Sequence, residues 1–421
     1  MPQGIQGRVL KSGHARTVYV DAHGAVVKRF HHPSAVQALR DRTRAATEER
    51  VLGELFAAGL AVPRPLAVRR AGRAWEVVME EIEGAVELGA LLAGAAPAPL
   101  SLLELAAGVG ELLAAAHAAG LDHPDLHPGN VLVDAAGRPW LVDFHKARLR
   151  PRSDLLALGE RDLVALLAYV RESLHPAARL ALVGAWLVRS GARPPGEAAA
   201  FAAALEARAR FHRRAWVAHA EGRWMRTSSV CEAHAALEGT VYARRGVPFE
   251  LVRELLASPR GGWELRSSGP LRALVQGGLP PAELRALWFH AARLAEHAVP
   301  ALVPLALAPR AAAFLVPEGA GPAPGGGLGA AAAGRLLGTL HDRGLDVGVL
   351  ERGAWLGGEE ALSAPPARVA HLDARPGRLA PEARFAAAGA RSSEPAFRRA
   401  YVAAFRGPAE ETLALERELL A

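Results

Sequence analysis

A predicted hairpin in the first half of the chain is flanked by three side chains that offer oxygen atoms at fixed spacing. Residues 123–130 read HPDLHPGN, and residues 141–144 read LVDF. Short apolar runs between these segments, on either side of a glycine-containing turn, predict two paired strands. Because Asn130 and Asp143 each flank one of those strands, the hairpin brings them close together, with Asp125 on the preceding loop. The fold must therefore place one amide and two carboxylates at one site.

This set of side chains suits transfer of a phosphoryl group from a nucleotide. That reaction needs a carboxylate to orient and deprotonate a hydroxyl, together with oxygen ligands for Mg²⁺. Lys28 lies on a predicted strand upstream, where its compact charge could hold phosphates in a way that the planar arginine fork does not match. Only three of the 50 Lys and Arg residues are lysines, so a lysine at this place is informative. Glu48 and Glu49, on the next predicted helix, are both candidates to pair with it.

The pattern His-x-Asp-x-x-x-x-Asn with a following Asp-Phe is similar to the catalytic segment of the protein-kinase-like superfamily. The variant HPDLHPGNVLVD followed by LVDFHKAR most resembles bacterial lipopolysaccharide core kinases that act on Kdo or heptose. The resemblance covers about residues 8–190. It implies an α+β, two-lobed kinase-like fold, with an N-lobe at 1–79, a hinge at 80–84 and a C-lobe at 85–190.

The resemblance also implies a role for each residue that matches the motif. Asp125 would be the catalytic base, and Asn130 and Asp143 would hold Mg²⁺. Lys28 would contact the phosphates of ATP and pair with Glu48. ATP and Mg²⁺ are therefore the expected cofactors, and the expected acceptor is a sugar hydroxyl of the lipopolysaccharide inner core.

Further positions follow from the same resemblance. Glu49 is the second choice as partner of the lysine. Backbone groups of Glu80 and Ile82, in the predicted hinge, would meet adenine, and Asp162 would brace the catalytic loop from a helix. The sequence departs from the protein-kinase pattern at His145, which stands where the glycine of Asp-Phe-Gly usually lies.

The second half of the chain carries signs of an internal duplication. Residues 110–122, GELLAAAHAAGLD, and residues 334–346, GRLLGTLHDRGLD, share seven of 13 positions, and Pro-Leu-Ala recurs at 65–67 and 304–306. We therefore expect a linker at 191–204 and a degenerate, pseudokinase-like module at 205–421, with an unrelated helical domain as the alternative. This alignment sets the following pairs of positions: Lys28 with Ala243, Asp125 with Val349, Asn130 with Trp355 and Asp143 with Asp373.

Two other functions remain open from the sequence. His123, Asp125 and His127 could bind zinc in a hydrolase, although a catalytic zinc site usually has three protein ligands and a defined base. A non-catalytic, nucleotide-binding scaffold would keep the fold without turnover. A zinc hydrolase would lose activity with a chelator and need no ATP. A scaffold would bind Mg-ATP tightly without transferring phosphate to any sugar.

Composition limits the environment and the partners. The single cysteine, Cys231, excludes a disulfide within the chain and fits a reducing compartment. The first residues lack the apolar segment of a secretory signal, so we expect a cytoplasmic protein. The net charge of +7 suits an anionic partner, which could be a phosphorylated glycolipid, an acidic membrane surface or nucleic acid, and charge alone does not choose among them. With the resemblance, the expected partner is a glycolipid or sugar, with peripheral contact at the inner membrane as an open alternative and no nucleic acid. The Arg- and Trp-rich segment 211–226 could grip a lipid headgroup or simply pack its tryptophans inside a helix.

Overall fold

The chain divides into two units, Met1–His212 and Arg213–Ala421, which are described separately. The computed structural model describes residues 7–12, 16–31, 35–72, 74–151, 154–171, 173–228, 230–297, 299, 301–317, 321–322, 329–343, 345–346, 355–357, 362–363, 370–371, 394–405 and 417–418.

The first unit begins with an antiparallel five-stranded sheet in the order β1-β2-β3-β5-β4, with one helix after β3. These elements are β1 (Gly7–Ser12), β2 (Arg16–Asp21), β3 (Ala25–Phe30), α1 (Ala35–Ala57), β4 (Pro65–Ala71) and β5 (Ala74–Glu80). Strands β2 and β3 form a hairpin, in whose turn the Asp21 carboxylate accepts the N–H groups of His23 and Ala25 and Gly24 takes a positive φ of 78°. Helix α1 packs on the sheet through Val51, Leu52 and Leu55.

The rest of the first unit is mostly helical. It contains β6 (Val86–Glu87), α2 (Leu88–Leu92), α3 (Leu102–Ala118), β7 (Leu121–Asp122), β8 (Val131–Val133), β9 (Pro139–Leu141), β10 (Arg148–Leu149), α4 (Leu155–Val170) and α5 (Pro176–Ser190). Helix α3 starts at a capping box, in which Ser101 and Glu104 satisfy each other's backbone N–H groups. The hairpin predicted between Asn130 and Asp143 is present as β8 and β9, and it is the second hairpin of this unit. The unit is α+β, as the sequence indicates.

The first unit extends beyond the boundary that we expected at residue 190. Helix α6 (Ala198–Glu221) begins inside the expected linker 191–204, and the division between the units falls within this helix. Phe201 stacks on Trp186 with ring centroids 6.0 Å apart, and Leu205 joins the same buried core. The linker prediction rested on Gly and Pro content and took no account of this apolar helix face.

The second unit contains a six-stranded antiparallel sheet in the order β11-β12-β15-β16-β14-β13. Its elements are β11 (Cys231–Ala236), β12 (Gly239–Arg244), α7 (Phe249–Leu256), β13 (Gly262–Ser268), β14 (Leu271–Gly277), α8 (Pro281–Glu296), β15 (Val303–Ala308) and β16 (Ala311–Leu315). Further along the chain lie β17 (Gly321–Pro322), α9 (Ala330–Asp342), β18 (Leu345–Asp346), β19 (Trp355–Gly357), β20 (Leu362–Ser363), β21 (Ala370–His371) and α10 (Pro395–Ala404).

The Arg- and Trp-rich segment has structural partners within the second unit. Trp216 lies beside the guanidinium groups of Arg213 and Arg223, at 4.7 and 5.4 Å from its ring centroid. Trp224 is buried and donates its indole N–H to Glu296, which also binds Arg223. Packing and ion pairing therefore account for much of this segment. Within the residues described, we find no helix that combines the length and the apolar character needed to cross a membrane.

Helices α3 and α5 cross so closely that one position admits no side chain. A Cβ added at Gly110 would lie 2.2 Å from the Leu182 carbonyl oxygen, whereas one added at Gly108, on the same helix, meets only Pro139 at 3.6 Å. We expect Gly110→Ala to lower the free energy of unfolding by about 1–3 kcal/mol, as overpacking does.

Gly108→Ala is the matched control. It should leave stability unchanged or raise it, because alanine is favoured over glycine inside helices by about 1 kcal/mol. Thermal and urea unfolding of the full chain measure both variants. Equal stability of the two variants would contradict the close crossing.

Candidate active site

A cavity of about 470 Å³ lies in the first unit, between the five-stranded sheet and the segment that carries the second hairpin. Six of the predicted site residues line it together: Lys28, Glu48, Asn130, Asp143 and the hinge pair Glu80 and Ile82. Other lining side chains are Arg8, Lys11, Arg16 and Glu87. The cavity is therefore a cleft with apolar walls and a charged floor, as a nucleotide site requires.

An ion network forms the floor of this cleft. The ammonium of Lys28 contacts both carboxylate oxygens of Glu48, at 2.8 and 2.7 Å, and one oxygen of Asp143, at 2.6 Å. Lys28 is only 4% exposed and Glu48 only 1%. Glu49, the alternative partner, points to solvent. The network joins β3, helix α1 and the loop after β9, three elements that are distant in sequence.

The carboxylate of Asp143 is surrounded by basic side chains. Besides Lys28, it binds Arg16 at 3.0 Å and the imidazole of His145. Burial alone would raise the pKa of Asp143, but the His145 hydrogen bond and the charges of Lys28 and Arg16 hold that pKa well below its usual range. The backbone at Asp143 has a φ of 71°, a left-handed conformation that a non-glycine residue seldom adopts and that often marks a functional site.

The residues at the floor suit a magnesium ion. Asp143 is ionised, and its neighbour Asn130 donates its amide nitrogen to the Asp125 carbonyl at 2.9 Å, which leaves the amide oxygen for a metal. These are the hard oxygen ligands that Mg²⁺ prefers, and it is usually held by one or two protein groups plus phosphates. Ligand atoms of Glu48, Asp143 and His145 also lie within 4.8 Å of one another.

Asp125 lies in the segment between β7 and β8, near Lys146, whose ammonium contacts its carboxylate at 2.8 Å. Burial opposes ionisation of Asp125, but the hydrogen bond and charge of Lys146 outweigh it and lower the pKa. About one third of the Asp125 side chain is exposed, at 34%. The carboxylate is therefore charged at neutral pH and open to an incoming group.

A buried network holds the loop between β7 and β8 in place. One oxygen of Asp162 accepts the backbone N–H of His123 at 3.0 Å and faces Nε2 of His117 at 3.2 Å. The indole of Trp186 donates to Nδ1 of His117, so the His117 proton lies on Nε2 and points to Asp162. His123 lies against Phe144 and 3.3 Å from the Val142 carbonyl. These contacts tie the loop to three helices.

The zinc alternative finds little support in the geometry. Nδ1 of His127 accepts the Gly129 N–H at 3.1 Å, and Nε2 of His123 faces a carbonyl. Among the residues for which the structure gives positions, the ligand atoms of His123, Asp125 and His127 do not gather within 4.8 Å of one another. The protein thus brings together the kinase-like set and keeps the zinc set apart.

At the predicted hinge, both residues line the cleft, but one expected donor is occupied. The backbone N–H of Glu80 donates to the Arg64 carbonyl at 3.0 Å, and the Ile82 carbonyl accepts from Ala85 at 3.2 Å. Adenine would therefore have to use other backbone atoms of the same two residues. Our sequence reasoning also missed Arg16 and Lys146; the rarity of lysine in this chain was the available signal for Lys146.

Comparison with known proteins agrees with this geometry. Residues 11–182 match the family model described as lipopolysaccharide kinase (Kdo/WaaP) family. A 3-deoxy-D-manno-octulosonic acid kinase of Xanthomonas oryzae pv. oryzae is 43% identical over 115 residues, which cover 26% of this chain and 43% of that protein. The protein of the same name from Stenotrophomonas maltophilia is 37% identical over 150 residues, or 34% of this chain and 57% of that protein.

The chain thus spans about half the length of the named relatives that it matches. Among solved structures, the bifunctional kinase-methyltransferase WbdD aligns with a TM-score of 0.34 at 22% identity, over 45% of this chain and 42% of that one. The match to the family model ends within helix α5, so it concerns the first unit alone. Residues 11–182 of the chain are therefore similar to the lipopolysaccharide kinase (Kdo/WaaP) family.

Proposed function

We propose that the protein is an ATP- and Mg²⁺-dependent kinase that phosphorylates a sugar hydroxyl of the lipopolysaccharide inner core. The observation that carries this proposal is the buried Lys28–Glu48–Asp143 network beneath the cleft, with Asp125 on the adjoining loop. Named relatives are 3-deoxy-D-manno-octulosonic acid kinases, and this favours Kdo over heptose as the acceptor.

The proposed mechanism assigns one task to each group. Lys28 holds nonbridging oxygens of the triphosphate, while Glu48 fixes the position of the ammonium. Asn130 and Asp143 would hold Mg²⁺, which supplies charge neutralisation at the phosphates when it is bound. Asp125 accepts the proton of the sugar hydroxyl as that oxygen bonds to the γ-phosphorus. The bond from this phosphorus to the β-γ bridging oxygen breaks, and ADP leaves.

Lys146 has a place in the same scheme. Its ammonium reaches Asp125 and is half exposed, so it can also face a phosphoryl group in transfer. His127 lies two residues after Asp125 in this chain. Burial lowers the pKa of His127, so the imidazole is neutral and leaves the positive charge beside Asp125 to Lys146.

The first prediction concerns the base. Asp125→Asn should lower kcat by about 10²–10⁴-fold, the usual contribution of general base catalysis, and leave nucleotide affinity nearly unchanged. The measurement is transfer of label from γ-labelled ATP to a panel of Kdo- and heptose-containing acceptors, beside nucleotide titration. Wild-type turnover by this variant would remove Asp125 from the mechanism, and the absence of label on every sugar acceptor would contradict the proposed function.

The second prediction compares adjacent glutamates. Glu48→Gln should weaken Mg-ATP binding about tenfold to a hundredfold, because a hydrogen bond to a charged group contributes roughly 1.5–3 kcal/mol. Glu49→Gln makes the same chemical change at the next residue, which is exposed, and should leave the affinity for Mg-ATP unchanged. Isothermal titration with a non-hydrolysable ATP analogue measures both. Equal effects of the two changes would show that the Lys28–Glu48 contact does not support the nucleotide.

The third prediction concerns pH. Lys146 lowers the pKa of Asp125, so the carboxylate of the native protein stays ionised to a pH below its ordinary value of about 3.9. In Lys146→Ala this pKa should rise, and kcat/KM should begin to fall at a higher pH as the medium is acidified. Lys146→Arg keeps the charge and should retain most of the native profile. Superimposable acid limbs in all three proteins would refute this link.

A further inference from the structure

The sheet of the second unit contains the topology of the first. Strands β13, β14, β16 and β15 lie in that order, and α8 connects β14 to β15. In the first unit, strands β2, β3, β5 and β4 lie in the same order, and α1 connects β3 to β4. Both sheets are antiparallel. The hairpin β11–β12 is an addition that pairs with the outer edge of β15.

The residue pairing agrees as well as the strand order. Pro65 pairs with Met79, and a one-residue bulge follows before Ala67 pairs with Val78. Pro304 pairs with Phe314, and the same bulge follows before Ala306 pairs with Ala313. The two prolines are therefore equivalent, as the recurring Pro-Leu-Ala suggests.

The register then identifies the counterpart of the catalytic-site lysine. Lys28 pairs with Val77, which is two residues before Met79. Gln276 pairs with Ala312, which is two residues before Phe314. Both Lys28 and Gln276 are 4% exposed.

Gln276 thus stands where Lys28 stands, and its amide donates to the adjacent Gly277 carbonyl at 2.8 Å. Our sequence alignment, which set Lys28 against Ala243, is wrong because Ala243 lies on the added strand β12.

Helix α8 contains the residue that corresponds to Glu48 of helix α1. Each helix closes with the same backbone bond, from Leu60 to the Leu55 carbonyl in one unit and from Val299 to the Leu294 carbonyl in the other. In both units ten residues separate that leucine from the equivalent proline. Glu48 precedes its leucine by seven residues, and so does Leu287. Leu287 packs in the same apolar cluster as Leu274, the residue two before Gln276.

A helix pair in the second unit repeats that of the first. Gly110 on α3 meets the Leu182 carbonyl of α5, and Gly334 on α9 meets the Phe397 carbonyl of α10, both 2.2 Å from an added Cβ. In each unit a histidine follows the glycine by seven residues. An aromatic residue follows the residue with the contacting carbonyl by four, and the histidine bonds to this aromatic residue. These pairs are His117 with Trp186, at 2.9 Å, and His341 with Tyr401, at 2.8 Å.

The strand that follows each histidine is equivalent too. Leu121 pairs with Leu149 in the first unit, and Leu345 pairs with His371 in the second. Asp143 precedes the partner strand β10, whereas Asp373 follows the partner strand β21. The two aspartates thus lie on opposite sides of equivalent strands, which argues against Asp373 as the counterpart of Asp143. Val349 and Asp373 themselves lie outside the described residues.

We propose that the second unit is a degenerate repeat of the kinase-like domain, in which Gln276 and Leu287 replace the Lys28–Glu48 ion pair and leave no ammonium for nucleotide phosphates. The chain contains no lysine after Lys146, so no shifted lysine can substitute. An amide can donate a hydrogen bond but carries no charge to balance a triphosphate. The second unit is thus a scaffold, and phosphotransfer belongs to the first.

A thermodynamic cycle in the second unit tests the equivalence without any nucleotide. Gln276→Lys buries an unpaired ammonium and should lower the melting temperature of the full chain. Leu287→Glu should also lower it. The double variant should melt higher than the sum of the two effects predicts, because the two new charges meet as Lys28 and Glu48 do. Ala286→Glu, one residue away on the exposed face, is the matched control and should not rescue Gln276→Lys.

Additive losses in the double variant, or equal rescue by Ala286→Glu, would overturn the equivalence. Titration of the wild-type chain with Mg-ATP is the second measurement, which holds even if a charged variant fails to fold. One nucleotide per chain, lost in Lys28→Met and retained in Gln276→Met, is the expected result. Nucleotide that survives in Lys28→Met and disappears in Gln276→Met would overturn the proposal. A chain that binds no nucleotide would refute the proposed function but agree with a silent second unit.

Discussion

The contact of Lys28 with Glu48 and Asp143 is the interaction on which the first unit depends. Three ionisable side chains share a nearly water-free space, and each would be strongly destabilising there without the others. Their mutual attraction therefore fixes the sheet, helix α1 and the loop after β9 relative to one another. The same arrangement keeps a cation and an ionised carboxylate at the base of a cleft. Structural integrity and the proposed chemistry consequently rest on one set of atoms.

Much of this site could be predicted from the sequence because its parts are local to short motifs. Asn130 and Asp143 flank the two strands of one hairpin, so pairing alone brings them together. Lys28 lies on a strand that its apolar residues and the preceding turn at residues 21–24 indicate. The choice between Glu48 and Glu49 could not be made in advance, since neighbouring helix residues differ by about 100° in direction and only packing selects one.

Other features depend on contacts that sequence spacing does not encode. Arg16 and Lys146 reach Asp143 and Asp125 from separate segments, and their direction is set by the finished fold. The end of the first unit was misplaced because helix α6 completes a core that begins far upstream. Under the repeat that we propose for the second unit, the hairpin β11–β12 is an addition, and the sequence match of Lys28 to Ala243 fell on it. Strand order in space, rather than order in the chain, was the missing information.

The close crossing of α3 with α5, and of α9 with α10, has a consequence for how such a chain changes over time. A backbone carbonyl fills the space that a methyl group would need, so replacing the glycine forces two helices apart. We therefore expect few substitutions to be tolerated at these two positions. In the proposed repeat, by contrast, a buried charged pair has been replaced as a set by neutral side chains, which leaves no unpaired charge in the interior. If the two units are repeats, as we propose, their common origin is visible at the tight helix crossings although the charges of the reaction centre are gone.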